Sequence, residues 1–403
     1  MGLFFILESG RRDTIETVKR LNFLFFDAGG GHRAAATALR AVMEKRGLPY
    51  EIELINMQEL LDEFDIFRKI SGHRVQDIYN SLLKKGWTLG SSCMLKIVHL
   101  AVRIYHRPTV RTLEALWRKN RPDIVISLIP NFNRGIYESL GNATSATPMV
   151  TIITDFADYP PHFWIERQDQ YMVCGSDRAV AQALQMNLSR SKVFQVSGMI
   201  LNPRFYEIPA LSPEERARRR VELGLEPDKP VGLVLFGGQG AEVMAEIARN
   251  LANRQLILIC GKNERLAQRL RSTPRPSPIF VEGFTQEVPR YMQLADYFIG
   301  KPGPGSISEA VAMHLPVIVE RNAWTMPQER YNTEWLIENG VGIVLPNFRG
   351  IARAVDTLLE PETYAKYRAA TESLNNRAVF EIADIIDAIL ARSAQEITPL
   401  RTA

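Results

Sequence analysis

Cysteine is scarce in this chain of 403 residues: Cys93, Cys174 and Cys260 are the three present. They lie far apart and form no metal-spaced pair, which excludes a site of paired thiolates and suits a reducing compartment. Long apolar runs are also missing. No stretch approaches the roughly 18 uninterrupted apolar residues of a spanning helix. The five-residue apolar run in MGLFFILESGRRD is too short for a secretory leader. A strong net charge is absent too, and +4 is too small to imply a nucleic-acid partner. There is no sequence repeat and no low-complexity tract.

What is present is ordinary globular material, 46% apolar and 23% charged. The length allows two or three domains, each burying its own core. Charge is spread unevenly. Residues 66–120 carry eleven Lys/Arg against two acids, together with Tyr79, Trp87, Tyr105, Trp117 and the apolar run LKIVHLAVRIY. A basic, aromatic-rich amphipathic segment reads either as a membrane-surface or polyanion contact, or as a solvated basic helix packed on its apolar side.

Short apolar strands alternate with helical patterns along the chain, which predicts an α/β fold with parallel, helix-covered sheets. The first series runs NFLFFD (22–27), EIELINM (51–57), DIVISLI (123–129), MVTIIT (149–154), YMVCGS (171–176) and KVFQVSG (192–198). A proline-rich, charge-dense stretch at 200–230 reads as a linker with a short helix. A second series follows: VGLVLF (231–236), QLILIC (255–260), PIFVEGF (278–284), DYFIG (296–300), PVIVE (316–320) and VGIVL (341–345). Two doubly wound units of similar size place a ligand cleft at the carboxyl ends of their strands. The boundaries expected are an extension at 1–20, a first domain at 21–200, a linker at 201–229, a second domain at 230–375 and a C-terminal helix at 376–403.

Three segments carry the chemistry. DAGGGHRAAA (27–36) has the outline of a phosphate loop, yet His32 stands where such a loop needs bare backbone. KPGPGSISEA (301–310) follows a strand and opens a helix, with Ser306 read as its first residue. Gly303 and Gly305 clear space, Pro304 stiffens the turn, and the helix start suits a diphosphate. Glu309, one turn inside, suits vicinal ribose hydroxyls; the alternative is a plain turn with Glu309 solvated. Gln328 and Glu329 are expected in a loop on the same rim, where an amide and a carboxylate can pair with sugar hydroxyls.

In order, these motifs resemble glycosyltransferases with two facing Rossmann-like domains and an interdomain cleft, the GT-B architecture. More closely, the chain resembles the monogalactosyldiacylglycerol synthases and the bacterial processive diacylglycerol glucosyltransferases, over roughly residues 20–375. DAGGGHRAAA is similar to their glycine–histidine signature, Asp155 in TIITDFADYPPHFW to their Thr-Asp segment, and SGMILNPRF (197–205) to the end of their first domain. ICGKN, EGF, GKPGPGSISEA and QERYN resemble their donor-site segments. One departure is visible: Pro160-Pro161 follow the Thr-Asp where the family has a histidine, with His162 and Trp164 displaced.

The resemblance implies a UDP-sugar bound by the second domain. Gly283 and Phe284 border the uracil, Glu309 takes the ribose, and Gly303, Pro304, Gly305 and Ser306 take the diphosphate. Gly237, Gly238 and Gln239 lie nearby, and Gln328, Glu329 and Asn332 take the sugar. On the acceptor side, Gly29, Gly30 and Gly31 allow close approach. His32 is the expected base, with Asp155 or Asp27 orienting or replacing it. The other five histidines read as packing or surface residues. Lys84, Lys85, Trp87, Lys96 and Arg103 are expected to meet anionic membrane lipid.

The implied activity is inverting transfer of galactose or glucose from a UDP-sugar to diacylglycerol, giving a β-glycosyl glycolipid. The expected setting is the cytoplasm, peripheral at the inner face of the cell membrane. No Asp-x-Asp pair occurs, so no metal and no cofactor are expected. Three other readings stay open: a UDP-N-acetylglucosamine transferase for another lipid, an epimerase-like protein, and a nucleotide-binding peripheral membrane protein without turnover.

Overall fold

The apolar runs become strands in the computed structural model, which describes residues 18–27, 30–62, 103, 105–144 and 146–397. The first unit contains β1 (Lys19–Phe25), β2 (Tyr50–Asn56), β3 (Ile124–Ser127), β4 (Met149–Ile152), β5 (Tyr171–Cys174) and β6 (Val193–Gln195). Its helices are α1 (Gly31–Lys45), α2 (Met57–Asp62), α3 (His106–Asn120), α4 (Asn133–Ala143) and α5 (Asp177–Gln185). Two helices follow, α6 (Arg204–Glu207) and α7 (Pro213–Glu222). The second unit contains β7 (Val231–Leu235), β8 (Gln255–Ile259), β9 (Ile279–Glu282), β10 (Tyr297–Gly300), β11 (Val317–Glu320) and β12 (Gly342–Leu345). Its helices are α8 (Val243–Asn250), α9 (Glu264–Ser272), α10 (Val288–Leu294), α11 (Pro304–Ala312), α12 (Pro327–Glu338), α13 (Ile351–Leu358) and α14 (Pro361–Ser373). The described chain ends in α15 (Ala378–Ile397).

Among the described residues the strands form two six-stranded sheets, ordered β2-β1-β3-β4-β5-β6 and β12-β11-β10-β7-β8-β9. Every neighbouring pair is parallel. Helices cover both faces, so inner strands such as β3, β7 and β8 are buried throughout; this is why they read as unbroken apolar runs. The edge strand β2 alternates instead, with Glu51 and Glu53 outward and Ile52 and Leu54 against the core. The direction of strand order reverses between β1 and β3 in one sheet and between β7 and β10 in the other. Such reversals open a crevice at the carboxyl ends.

The stretch expected to be a linker is more than that. In α7, Ser212 caps the helix by accepting from the Glu215 amide at 3.2 Å, and Pro213 occupies its first turn. On its far side Arg220 donates to the Leu294 carbonyl (2.9 Å) and pairs with Asp296 (2.7 Å), and Arg216 takes the other Asp296 oxygen at 2.9 Å. Asp296 also accepts from the Val231 amide at 2.7 Å, at the mouth of β7. Charge-assisted bonds on both carboxylate oxygens make α7 part of the second unit's wall.

The chain then returns. In α15, Val379, Ile382, Ile386 and Ile389 recur at helical spacing and enter the same core as β1 and α1. Arg46 pairs with Asp384 at 2.7 Å and Asp387 at 2.5 Å, and Tyr50 donates to Asp387 at 2.7 Å. The last helix thus covers the first sheet. The outgoing and returning crossings lie side by side: Asn376 donates to the Met199 carbonyl at 2.9 Å, and the Arg377 amide donates to Ser197 Oγ at 2.6 Å.

Part of the basic segment is also resolved as packing. Along α3, Val110, Leu113 and Trp117 face inward, and the Trp117 indole donates to Ser139 Oγ at 2.8 Å. Trp117 is therefore a core residue and not a membrane aromatic, because one apolar stripe faces the sheet while Arg107, Arg111 and Arg118 face out.

Candidate active site

In the first unit the site grows from the crevice between β1 and β3. Gly30 closes the β1 loop at φ 82°, a left-handed conformation that suits glycine, and α1 starts at the next residue. His32 falls in the first helical turn. Its Nδ1 lies 2.6 Å from the Leu128 carbonyl at the end of β3. A carbonyl only accepts, so Nδ1 carries the proton and Nε2 keeps its lone pair. Burial lowers the His32 pKa below the ordinary imidazole value, against the opposing pull of that carbonyl bond. The ring is therefore neutral at pH 7, in the tautomer a general base requires.

The two aspartates expected near His32 have other partners. Asp27 is paired with Arg33. Asp155 accepts from the Trp164 indole at 2.8 Å, and the Trp164 ring lies 5.8 Å from the His32 ring. Asp155 is 9% exposed. Burial pushes its carboxyl up to about 7, with the Trp164 bond opposing, Glu329 adding to the rise and Lys301 opposing. Asp158 holds Trp164 in place by accepting from the His162 and Trp164 amides at 3.0 and 2.6 Å. Trp164, which the sequence offered only as a displaced family residue, is thus the link between His32 and Asp155. His162 is exposed.

On the opposing side the site grows from the crevice between β7 and β10. Gly237 and Gly240 turn the loop after β7 with φ of 72° and 61°. A Cβ at Gly240 would meet the Cys260 carbonyl at 2.5 Å. After β10, α11 begins at Pro304, two residues earlier than expected, with Gly303 as its cap. The side chain of Lys301 runs beside both loops: a Cβ at Gly303 would lie 3.2 Å from its Cε, and one at Gly237 would lie 3.8 Å away. Its Nζ is 3.2 Å from Glu329 Oε1. Glu309 is half-buried in α11, and burial alone pushes its carboxyl up to about 7. Phe284, at the end of β9, is 60% exposed, with Lys262 Nζ 5.5 Å from its ring centre.

Gln328 and Glu329 are not in a loop. They occupy the first turn of α12, whose first residue is Pro327. Glu329 is 7% exposed. Asn332, one turn further, is fully buried and donates to the Pro302 carbonyl at 2.8 Å. It ties α12 to the glycine–proline loop from below. The structure therefore gathers residues 237–240, 303–306, Glu309 and Gln328–Glu329 at one sheet end. The two halves touch through Phe156 and Trp335, stacked at 4.1 Å. Of the remaining expected residues, Gly29, Lys84, Lys85, Trp87 and Lys96 lie outside the described residues; Arg103 is exposed. Among the described residues, no helix is long and apolar enough to cross a membrane.

Comparison with known proteins follows the same division. The family model described as Monogalactosyldiacylglycerol (MGDG) synthase matches residues 32–199, and the Glycosyltransferase family 28 C-terminal domain matches residues 232–388. Monogalactosyldiacylglycerol synthase, chloroplastic, of Spinacia oleracea is 28% identical over 409 residues, covering 93% of this chain and 73% of the relative. Among solved structures, Os79 from O. sativa in complex with U2F and trichothecene superposes with a TM-score of 0.60 at 13% identity, covering 92% of this chain and all of the other. The S. aureus MnaA–UDP co-structure gives 0.58 at 15% identity, covering 93% and 97%. These structures establish the shared GT-B fold. With one family model on each sheet and the relative aligned across both, the chain is a glycosyltransferase of the GT-B fold, similar along most of its length to the monogalactosyldiacylglycerol synthases.

Proposed function

We propose that the chain transfers a hexose, galactose or glucose, from a UDP-sugar to diacylglycerol, with inversion, at a membrane surface. The observation that carries this reading is His32: a neutral imidazole with Nδ1 spent on the Leu128 carbonyl and Nε2 available at the acceptor-side crevice. Nε2 takes the acceptor hydroxyl proton as the oxygen attacks the anomeric carbon. One displacement converts an α-linked donor to a β-glycoside. The α11 N-terminus and the nearby Lys301 ammonium stabilise the departing diphosphate. Glu309 receives the ribose, and Gln328 and Glu329 receive the sugar. Asp155 fixes the Trp164 ring that lies against His32. The helix terminus and the ammonium carry the leaving group's charge, so turnover needs no divalent ion. The basic segment up to Arg103 holds the enzyme to anionic lipid at the inner face of the cell membrane.

The test incubates the full chain with diacylglycerol in mixed micelles and radiolabelled UDP-galactose, UDP-glucose or UDP-N-acetylglucosamine, with and without chelator. Thin-layer chromatography reads the lipid product and NMR its anomeric configuration. A β-hexosyl diacylglycerol formed equally in chelator is expected. Turnover abolished by chelator and restored by magnesium refutes the metal-independent step. An α-anomer refutes the single displacement, and label on no lipid refutes the activity.

A further inference from the structure

Catalysis across a cleft requires residues on two separate sheets to keep a fixed spacing. Here one helix carries both the donor-facing groups and the contact with the other unit. The first turn of α12 bears Gln328 and Glu329. Its residues Tyr331 and Trp335 are four apart and share a face. That face meets the first unit. The Trp335 ring stacks on Phe156 with centroids 4.1 Å apart and planes at 13°. The Arg178 guanidinium lies 5.9 Å from the Tyr331 ring centre.

Phe156 is the residue next to Asp155, and its location is unusual for a residue following β4. It is 1% exposed and belongs to the core of the second sheet, in the same cluster as Leu233, Leu235 and Leu336. The segment that carries Asp155 is therefore anchored in the opposite unit. Asp155 in turn bonds Trp164, which lies against His32. Three elements meet in sequence: the donor turn of α12, the Trp335–Phe156 stack, and the Asp155–Trp164–His32 group.

We propose that Phe156 and Trp335 are a positioning pair, whose stack sets the spacing between the acceptor-side group at Asp155 and the donor-side turn at Gln328 and Glu329. The inference rests on the reading that α12 holds the donor sugar. Neither ring touches a reacting atom. They act by keeping two reacting partners within bonding distance, where a shift of about 1 Å costs on the order of 100-fold in rate.

The experiment compares wild type with Trp335→Leu, Trp335→Phe, Phe156→Leu and the Phe156→Leu/Trp335→Leu pair. It measures kcat for glycolipid formation, donor KM, and UDP affinity by calorimetry. Expected for Trp335→Leu is UDP affinity and donor KM within about threefold of wild type and kcat lowered about 30- to 100-fold. Trp335→Phe keeps an aromatic face and recovers kcat to within about fivefold of wild type. Phe156→Leu repeats the kcat loss from the other side, and the double variant loses little more than either single one. Several results overturn the inference: Trp335→Leu retaining kcat within threefold, Trp335→Phe failing to recover it, or kcat losses that multiply in the double variant. Should Trp335→Leu not fold, Phe156→Leu and Trp335→Phe decide by the same criteria. Wild type forming no glycolipid from any donor overturns the function itself, and is read separately from the variants.

Discussion

Replacing His32 with alanine removes the imidazole that, among the described residues, is held by the Leu128 carbonyl in a general-base tautomer. Proton transfer by a positioned base contributes about 10²- to 10⁴-fold, so kcat is expected to fall by that factor, about 3–5 kcal/mol of barrier. Glutamine is the sharper variant. Its amide can still donate to the Leu128 carbonyl, as Nδ1 does, but it cannot take a proton at neutral pH. Equal losses in His32→Ala and His32→Gln mark a base; recovery in His32→Gln marks a positioning role. The pH profile separates the two groups in the cleft. His32 is lowered by burial, so its neutral form, the competent one, is lost only below the ordinary imidazole value. Asp155 is raised to about 7, so its carboxylate is lost first as pH falls. With His32 needed neutral and Asp155 needed as its carboxylate, kcat/KM falls through two limbs as pH drops, one near 7 and one below the imidazole value. His32→Ala should erase the lower limb and keep the upper; Asp155→Asn should do the reverse. The assay is glycolipid formation in mixed micelles from pH 5 to 9. Either His32 variant within threefold of wild-type kcat, or the lower limb persisting in His32→Ala, refutes the assignment.

Asp296→Ala leaves the Arg216 and Arg220 guanidiniums without their shared carboxylate, and a loss of about 3–5 kcal/mol is expected from breaking a buried pair; denaturant titration showing under 1 kcal/mol contradicts it. Gly240→Ala forces a Cβ onto the Cys260 carbonyl in a left-handed turn, so UDP binding should weaken at least about tenfold with the fold retained; unchanged calorimetry counts against the loop's role. Neutralising Lys84, Lys85, Lys96 and Arg103 together should abolish sedimentation with anionic vesicles, since each is worth about 1 kcal/mol near such a surface, and leave kcat on soluble short-chain acceptor unchanged. Vesicle binding that persists removes this segment from the membrane contact.

The strands were legible because a strand buried on both faces shows its burial in every residue, as in β7 (VGLVL) and β8 (QLILI). What was misread depended on partners far along the chain. Gln328 and Glu329 looked like loop residues because Pro327 reads as a breaker, although proline at a helix's first position costs no hydrogen bond. The arginines of α7 looked like linker charge because Asp296 lies 76–80 residues away. For Trp117 the sequence left interface and packing both open, and the stripe it shares with Val110 and Leu113 faces inward. Trp164 showed in the sequence only as a displaced family residue. Its meaning comes from the fold, which sets its ring beside His32 and its indole on Asp155. Lys301 stood in plain view before the glycine–proline loop, and only its closeness to Glu329 gives it weight.

The return of α15 to the first sheet sets an order of assembly. On the ribosome the second unit can close as soon as β7 to α14 emerge, because α7 and Phe156, which complete its wall and core, have already been made. The first unit cannot. Its β1–α1 core lacks Val379, Ile382, Ile386 and Ile389 until almost the whole described chain has been made, a wait on the order of ten seconds or more at ordinary synthesis rates. The half synthesised first is the half finished last, with one apolar face open in the interval. A stop codon just before Ala378 would spare the whole of the second sheet and still leave the first without its cover.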